Sequence, residues 1–149
     1  MNPPIIEYTP QNLKLIIKKI THLITSTSLR QDLLPKKYLS MNDRNAYFGH
    51  CHNASACLYL IFSAHHIRLM RAYDSKYSNR FGEDFWHWWC EDKQTGEVID
   101  ITADQYPVYH RRKLYKLGEK SSMLGFNYKQ RVFRLLNSVM KNVPEKIIL

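Results

Sequence analysis

The chain has no glycine-rich phosphate loop and no dinucleotide fingerprint, so nothing in it supports a nucleotide cofactor. It has neither a Cys-x-x-Cys nor a His-x-x-x-His pair. His50, Cys51, His52 and Cys57 carry groups that zinc favours, but four ligands at compatible spacing are missing, and neither metal nor cofactor is expected. Three cysteines, Cys51, Cys57 and Cys90, cannot all pair within one chain, which points to a reducing cytoplasm. Met1-Asn2-Pro3-Pro4 opens neither a charged n-region nor a long apolar run, so no signal peptide is expected. Residues 13–24 form the longest apolar stretch near the start, and Lys18, Lys19, Thr21 and His22 interrupt it too often for a membrane span. Repeats and low-complexity tracts are absent too.

What remains is an ordinary globular composition. Hydrophobic residues make 44% and charged residues 23% of 149, enough for one self-sufficient core. The net charge of +9, from 22 Lys and Arg against 13 Asp and Glu, sets up a field that attracts an acidic macromolecule or nucleic acid. The basic residues are scattered apart from one run, His110-Arg111-Arg112-Lys113. Such runs are more often solvated faces, and Arg111, Arg112 and Lys113 are expected to steer a partner rather than to take part in chemistry.

Leu13, Ile16, Ile17, Ile20, Leu23 and Ile24 recur at helical spacing, with Thr9 as N-cap and Pro10 in the first turn, predicting an amphipathic helix over 10–25. Residues 26–48 read as a connecting segment with room for one short helical turn. Gly49-His50-Cys51 leads into an Ala-rich apolar run, predicting a helix that begins near Cys51. Residues 66–73 and 85–91 read as strands separated by a polar loop, and 97–102 alternates as a third strand after the turn Asp92-Lys93-Gln94-Thr95-Gly96. Tyr and basic residues fill 105–115, and Val132, Leu135, Leu136 and Val139 mark a last amphipathic helix over about 128–140.

Three residues in this layout carry chemistry. A thiol attacks as the thiolate, which the free N–H groups and dipole of a helix start favour, and the same N–H groups can hold an oxyanion. Cys51 occupies that place, whereas Cys57, deeper among Ala56, Leu58 and Ile61, reads as a small core residue. A turn centred between Lys93 and Gln94 would set His87 directly opposite Asp100, Cβ atoms about 4.5–5.5 Å apart, leaving one imidazole nitrogen for a thiol. The bland alternatives are a His87 packed between Trp86 and Trp88 and an Asp100 solvated at the sheet edge. An acid inside Val98-Ile99-Asp100-Ile101 is nonetheless costly without a partner.

The order Cys, His, Asp on helix, strand and next strand resembles the transglutaminase-like and papain-like cysteine hydrolases. More narrowly, Gly49-His50-Cys51, then His87-Trp88-Trp89, then Ile99-Asp100-Ile101-Thr102 with Gln105-Tyr106 looks like a group of short phage and bacterial proteins sharing this pattern, from about Gly49 to Val139. The resemblance implies Cys51 as nucleophile, His87 as general base and acid, and Asp100 as orienter. No Gln precedes Cys51 at the distance papain-type peptidases use for the oxyanion hole, so Asn45, Tyr47 or Gln105 are the candidates to donate there or to line the site.

The expectation is an α+β domain spanning 1–149, with an N-terminal helical segment over about 1–45 and a core over about 46–142 in which the Cys51 helix packs on a small antiparallel sheet. Its function would be thiol-dependent acyl transfer on a protein or peptide-like substrate, as an amide hydrolase, deamidase or transglutaminase, in the cytoplasm, or the host cytoplasm if phage-encoded. The competing expectation is a catalytically silent binding protein that engages a host protein or nucleic acid through its basic surface, with Phe85, Trp86, Trp88 and Trp89 available to stack bases. Packing is the expected role of at least Trp86 and Trp88.

Overall fold

The computed structural model describes residues 2–121 and 129–149. It is an α+β fold whose sheet has four antiparallel strands in the order β3-β2-β1-β4: β1 (Ile67–Tyr73), β2 (Trp86–Asp92), β3 (Val98–Ile99) and β4 (Glu119–Ser121).

Helix α1 (Pro10–Ser26) starts where the cap signal lies, the Thr9 hydroxyl accepting from Asn12 N at 3.1 Å. Its Ile16, Ile20 and Ile24 are fully buried, each contributing about 1.5–3 kcal/mol of hydrophobic stabilisation. The predicted connection is more ordered than expected. Helix α2 (Leu29–Asp32), a 3-10 turn (Lys36–Tyr38) and α3 (Leu39–Arg44) occupy it, pinned by buried Leu29, Leu33 and Leu34. Helix α4 (Cys51–Phe62) is the central helix, with ten of its twelve residues buried. The predicted polar loop after β1 is largely helix α5 (Ser75–Phe81): the Asp74 carboxylate caps it by accepting from Tyr77 N at 3.2 Å, and Gly82, at φ +69°, ends it. Residues 105–115 likewise contain a missed helix, α6 (Val108–Lys116), entered from Pro107. Helix α7 (Lys129–Met140) buries Val132, Leu135, Leu136 and Val139 as predicted. Tyr128, the predicted first residue of that helix, lies outside the described residues.

The sheet divides two apolar layers. Ile67, Leu69, Trp88 and Cys90 face the main core with α1, α4 and α7, and Trp86 packs against it. Ala72 and Trp89 face a smaller cluster with Tyr106 and with Leu114 of α6. His87 is on this second side, its ring 4.8 Å from that of Tyr106.

The hairpin register differs from the predicted one. β2 and β3 pair as Cys90 with Ile99 and Glu91 with Val98, so Asp100 is not directly opposite His87. The loop is built on Asp92, whose Oδ1 accepts from Gln94 N at 2.9 Å and Thr95 N at 2.8 Å, while its carbonyl accepts from Gly96 N at 2.9 Å with Gly96 at φ +75°. That centres the turn one residue later and slides the partner of each β2 residue by two, which preserves the faces. The third strand is also shorter than predicted, pairing only through Val98 and Ile99. No helix among the described residues is long and apolar enough to cross a membrane.

Candidate functional site

The short β3 shapes the site. Asp92 N donates to Glu97 O at 2.9 Å, so the even-numbered residues of β2 aim their backbone groups toward the β3 side. Since β3 reaches only Cys90 and Glu91, the start of β2 has no strand beside it there among the described residues. The first residue of α4 fills this edge: Cys51 Sγ donates to the Trp86 carbonyl at 3.6 Å. A thiol from the α4 face of the sheet thereby meets an imidazole on the α6 face.

Cys51 is delivered by a tight turn. Gly49 sits at φ +84°, and a Cβ on it would lie 2.7 Å from Leu34 Cδ2. His50, at the N-cap position of α4, offers no side-chain cap. The first-turn N–H groups of α4 are thus left for other acceptors.

His87 Nε2 and Asp100 Oδ2 are 2.6 Å apart, with both side chains essentially excluded from solvent. The same Oδ2 accepts the Tyr115 hydroxyl at 2.6 Å, and Oδ1 accepts Thr102 N at 3.2 Å and the Thr102 hydroxyl at 3.5 Å. Four donors offset the cost of burying this carboxylate. Burial alone would push the His87 imidazole down. The Asp100 hydrogen bond, the Cys51 thiol beside it and their charges outweigh burial and raise it to about 9. His87 Nδ1 is buried with no hydrogen-bond partner among the described residues, which leaves this nitrogen for the thiol proton.

The two other thiols differ in kind. Cys57 and Cys90 are fully buried, Cys90 donates to Ser55 O at 3.3 Å, and burial pushes both thiols far up. Cys51, 4% exposed, lines a cleft of about 100 Å³ with Tyr38, Phe85, Trp86, Trp88 and Arg131. A larger hollow of about 390 Å³ lies between the start of α1 and β3, but neither Cys51 nor His87 reaches it, so size is a poor guide here.

The remaining predicted site residues separate. Asn45 is structural: its Nδ2 donates to Asp104 O at 2.9 Å and its Oδ1 accepts Tyr47 N at 3.0 Å, tying the segment before α4 to the 3-10 turn Ala103–Gln105. Neither Asn45 nor Tyr47 lines the Cys51 cleft. Gln105 is 6% exposed, both its amide atoms lack hydrogen-bond partners among the described residues, and it does not line the Cys51 cleft either. Arg111 pairs with Asp104 at 3.2 Å, Arg112 and Lys113 are exposed on α6, and none of the three lines the cleft. Trp88 packs as predicted, its ring 4.6 Å from that of His52.

Two partners of Asp100 were missed. Thr102 was legible, since an Asp with a Thr two residues on forms a local side-chain turn. Tyr115 could be found only by recognising α6. A second buried acid, Asp74, meets His110 Nε2 at 3.3 Å, and the Tyr106 ring lies between His110 and His87. No group of three His, Cys, Asp or Glu among the described residues could hold a metal.

No protein-family model, no curated protein and no solved structure matches this chain.

Proposed function

We propose that the chain is a thiol-dependent acyl-transfer enzyme in which Cys51 is the nucleophile, His87 the general base and acid, and Asp100 the group that orients and charges His87. The observation that carries this reading is the 2.6 Å bond from His87 Nε2 to a carboxylate with three further donors, on an imidazole whose Nδ1 has no hydrogen-bond partner among the described residues and which lies beside a thiol at a helix start.

Raised to about 9, His87 rests near neutral pH as the imidazolium with the Cys51 proton on Nδ1, and the thiolate attacks the carbonyl carbon of an amide or ester. The oxyanion is held by first-turn N–H groups of α4. His87 returns its proton to the departing amine or alcohol as the tetrahedral intermediate collapses, leaving a thioester on Cys51. Water or an amine then gives a proton to His87 and attacks the thioester, and the restored thiol departs with that proton. Water makes the protein a hydrolase or deamidase, an amine a transglutaminase. The helix-start cysteine against an antiparallel sheet supports the papain-like or transglutaminase-like reading, with a protein or peptide-like substrate in a cytoplasm. Trapping the thioester with activated esters tests it: an acyl group should appear on Cys51 alone, and a folded protein acylated nowhere would leave only the binding role of the basic surface.

A further inference from the structure

The cleft beside Cys51 combines aromatic walls with one isolated cation. Tyr38, Phe85, Trp86 and Trp88 supply the walls, and α7 contributes Arg131. Arg131 is half-buried, yet no carboxylate lies within ion-pair distance of it among the described residues. Arg30, Arg68, Arg71, Arg111 and Arg134 each have such a partner, and Arg44, Arg80 and Arg112, which have none, are exposed to water. A guanidinium partly withdrawn from water and left unpaired is a waiting anion site, because its planar fork matches a carboxylate edge to edge.

Its surroundings narrow the anion. Asp84, an exposed acid, lines the same cleft and disfavours a dianion such as a phosphate monoester. His52 adds no positive charge near neutral pH, since burial pushes its imidazole down to about 4. With about 100 Å³ free, the room of about three water molecules, the cleft suits a short flat group.

Resting on the acyl-transfer reading, we propose that this cleft is the acyl-substrate site and that Arg131 anchors a carboxylate carried by the substrate close to its reacting carbonyl. The preferred substrates are then acidic acyl groups, such as the side chain or C-terminus of an acidic peptide.

The test compares iodoacetate with iodoacetamide, two alkylating reagents that differ by a carboxylate, reading modification of Cys51 by peptide mass in the folded protein. Arg131→Gln should lower the iodoacetate-to-iodoacetamide rate ratio at Cys51 about tenfold, Arg131→Lys should retain part of it, and Arg134→Gln, one turn along the same helix, should leave it unchanged. A ratio indifferent to Arg131→Gln, or equally reduced by Arg134→Gln, overturns the anchor while leaving Cys51 as nucleophile. If Cys51 reacts with neither reagent, the nucleophile reading falls and the anchor with it.

Discussion

Asp100 reaches His87 diagonally across the hairpin: the register places it one pair beyond Cys90 and Ile99, opposite Trp89, and yet its Oδ2 lies 2.6 Å from His87 Nε2. The diagonal works because β3 ends at Ile99 and the chain turns back at Thr102, whose N–H and hydroxyl hold the other carboxylate oxygen. Replacing Asp100 by Asn keeps the shape and removes the charge that sustains the imidazolium. Acylation of Cys51 by p-nitrophenyl acetate should slow by about 10²–10⁴-fold with the circular dichroism spectrum preserved. An unchanged rate would detach Asp100 from the chemistry.

Tyr115→Phe removes one of the two donors to Asp100 Oδ2. A lost hydrogen bond to a buried charge should cost about 1.5–3 kcal/mol in urea unfolding. The acylation rate should fall less than with Asp100→Asn, because the His87 contact survives. A variant as stable as the parent would mean that the Tyr115 hydroxyl is not part of the network.

Thiol chemistry should separate the three cysteines. In the folded protein, iodoacetamide near pH 7 should modify Cys51 alone, since burial pushes the Cys57 and Cys90 thiols far up and closes them off. All three should react in guanidinium. Equal labelling of Cys51 and Cys90 without denaturant would remove the distinction on which the site rests.

Stability should pass through a maximum near neutral pH. His87 is raised from 6.5 to about 9 on folding, so its contribution is complete below pH 6.5 and is lost as pH rises through about 9. His50 and His52, which burial pushes from 6.5 down to about 4, act in the opposite sense: their contribution is present above pH 6.5 and is lost as pH falls toward 4. Thermal melts from pH 4 to 9, below the range in which the buried Cys57 and Cys90 thiols would ionise on unfolding, should show both limbs, and His87→Gln should flatten only the alkaline one. An alkaline limb that survives this substitution would place the titration elsewhere.

How much could be read in advance followed the reach of each interaction. Local signals were reliable: Thr9 with Pro10 marked α1, the Ala-rich run after Gly49 marked α4, and the spacing of Val132, Leu135, Leu136 and Val139 marked α7. Asp74 and Gly82 bracketed α5 just as legibly, but the polar residues between them suggested a loop. The grouping of His87 with Asp100 was legible because a slip of two residues keeps side chains on one face. The register itself was not, since it depends on Asp92 folding the turn around its own carboxylate. Tyr115 was out of reach without α6, whose basic surface concealed its few buried contacts, and Asn45 looked like an oxyanion donor because nothing local reveals that Asp104 claims its amide.

The most direct measurement is to locate the acyl group after a brief exposure of the native protein to p-nitrophenyl acetate, by mass analysis of its peptides. A single acetyl group on Cys51, formed in a burst with release of nitrophenol, absent from Cys51→Ser and strongly slowed in Asp100→Asn, is the expected result. Acetylation spread over lysines or the other thiols, at a rate indifferent to Asp100, would contradict a nucleophile activated by His87 and Asp100.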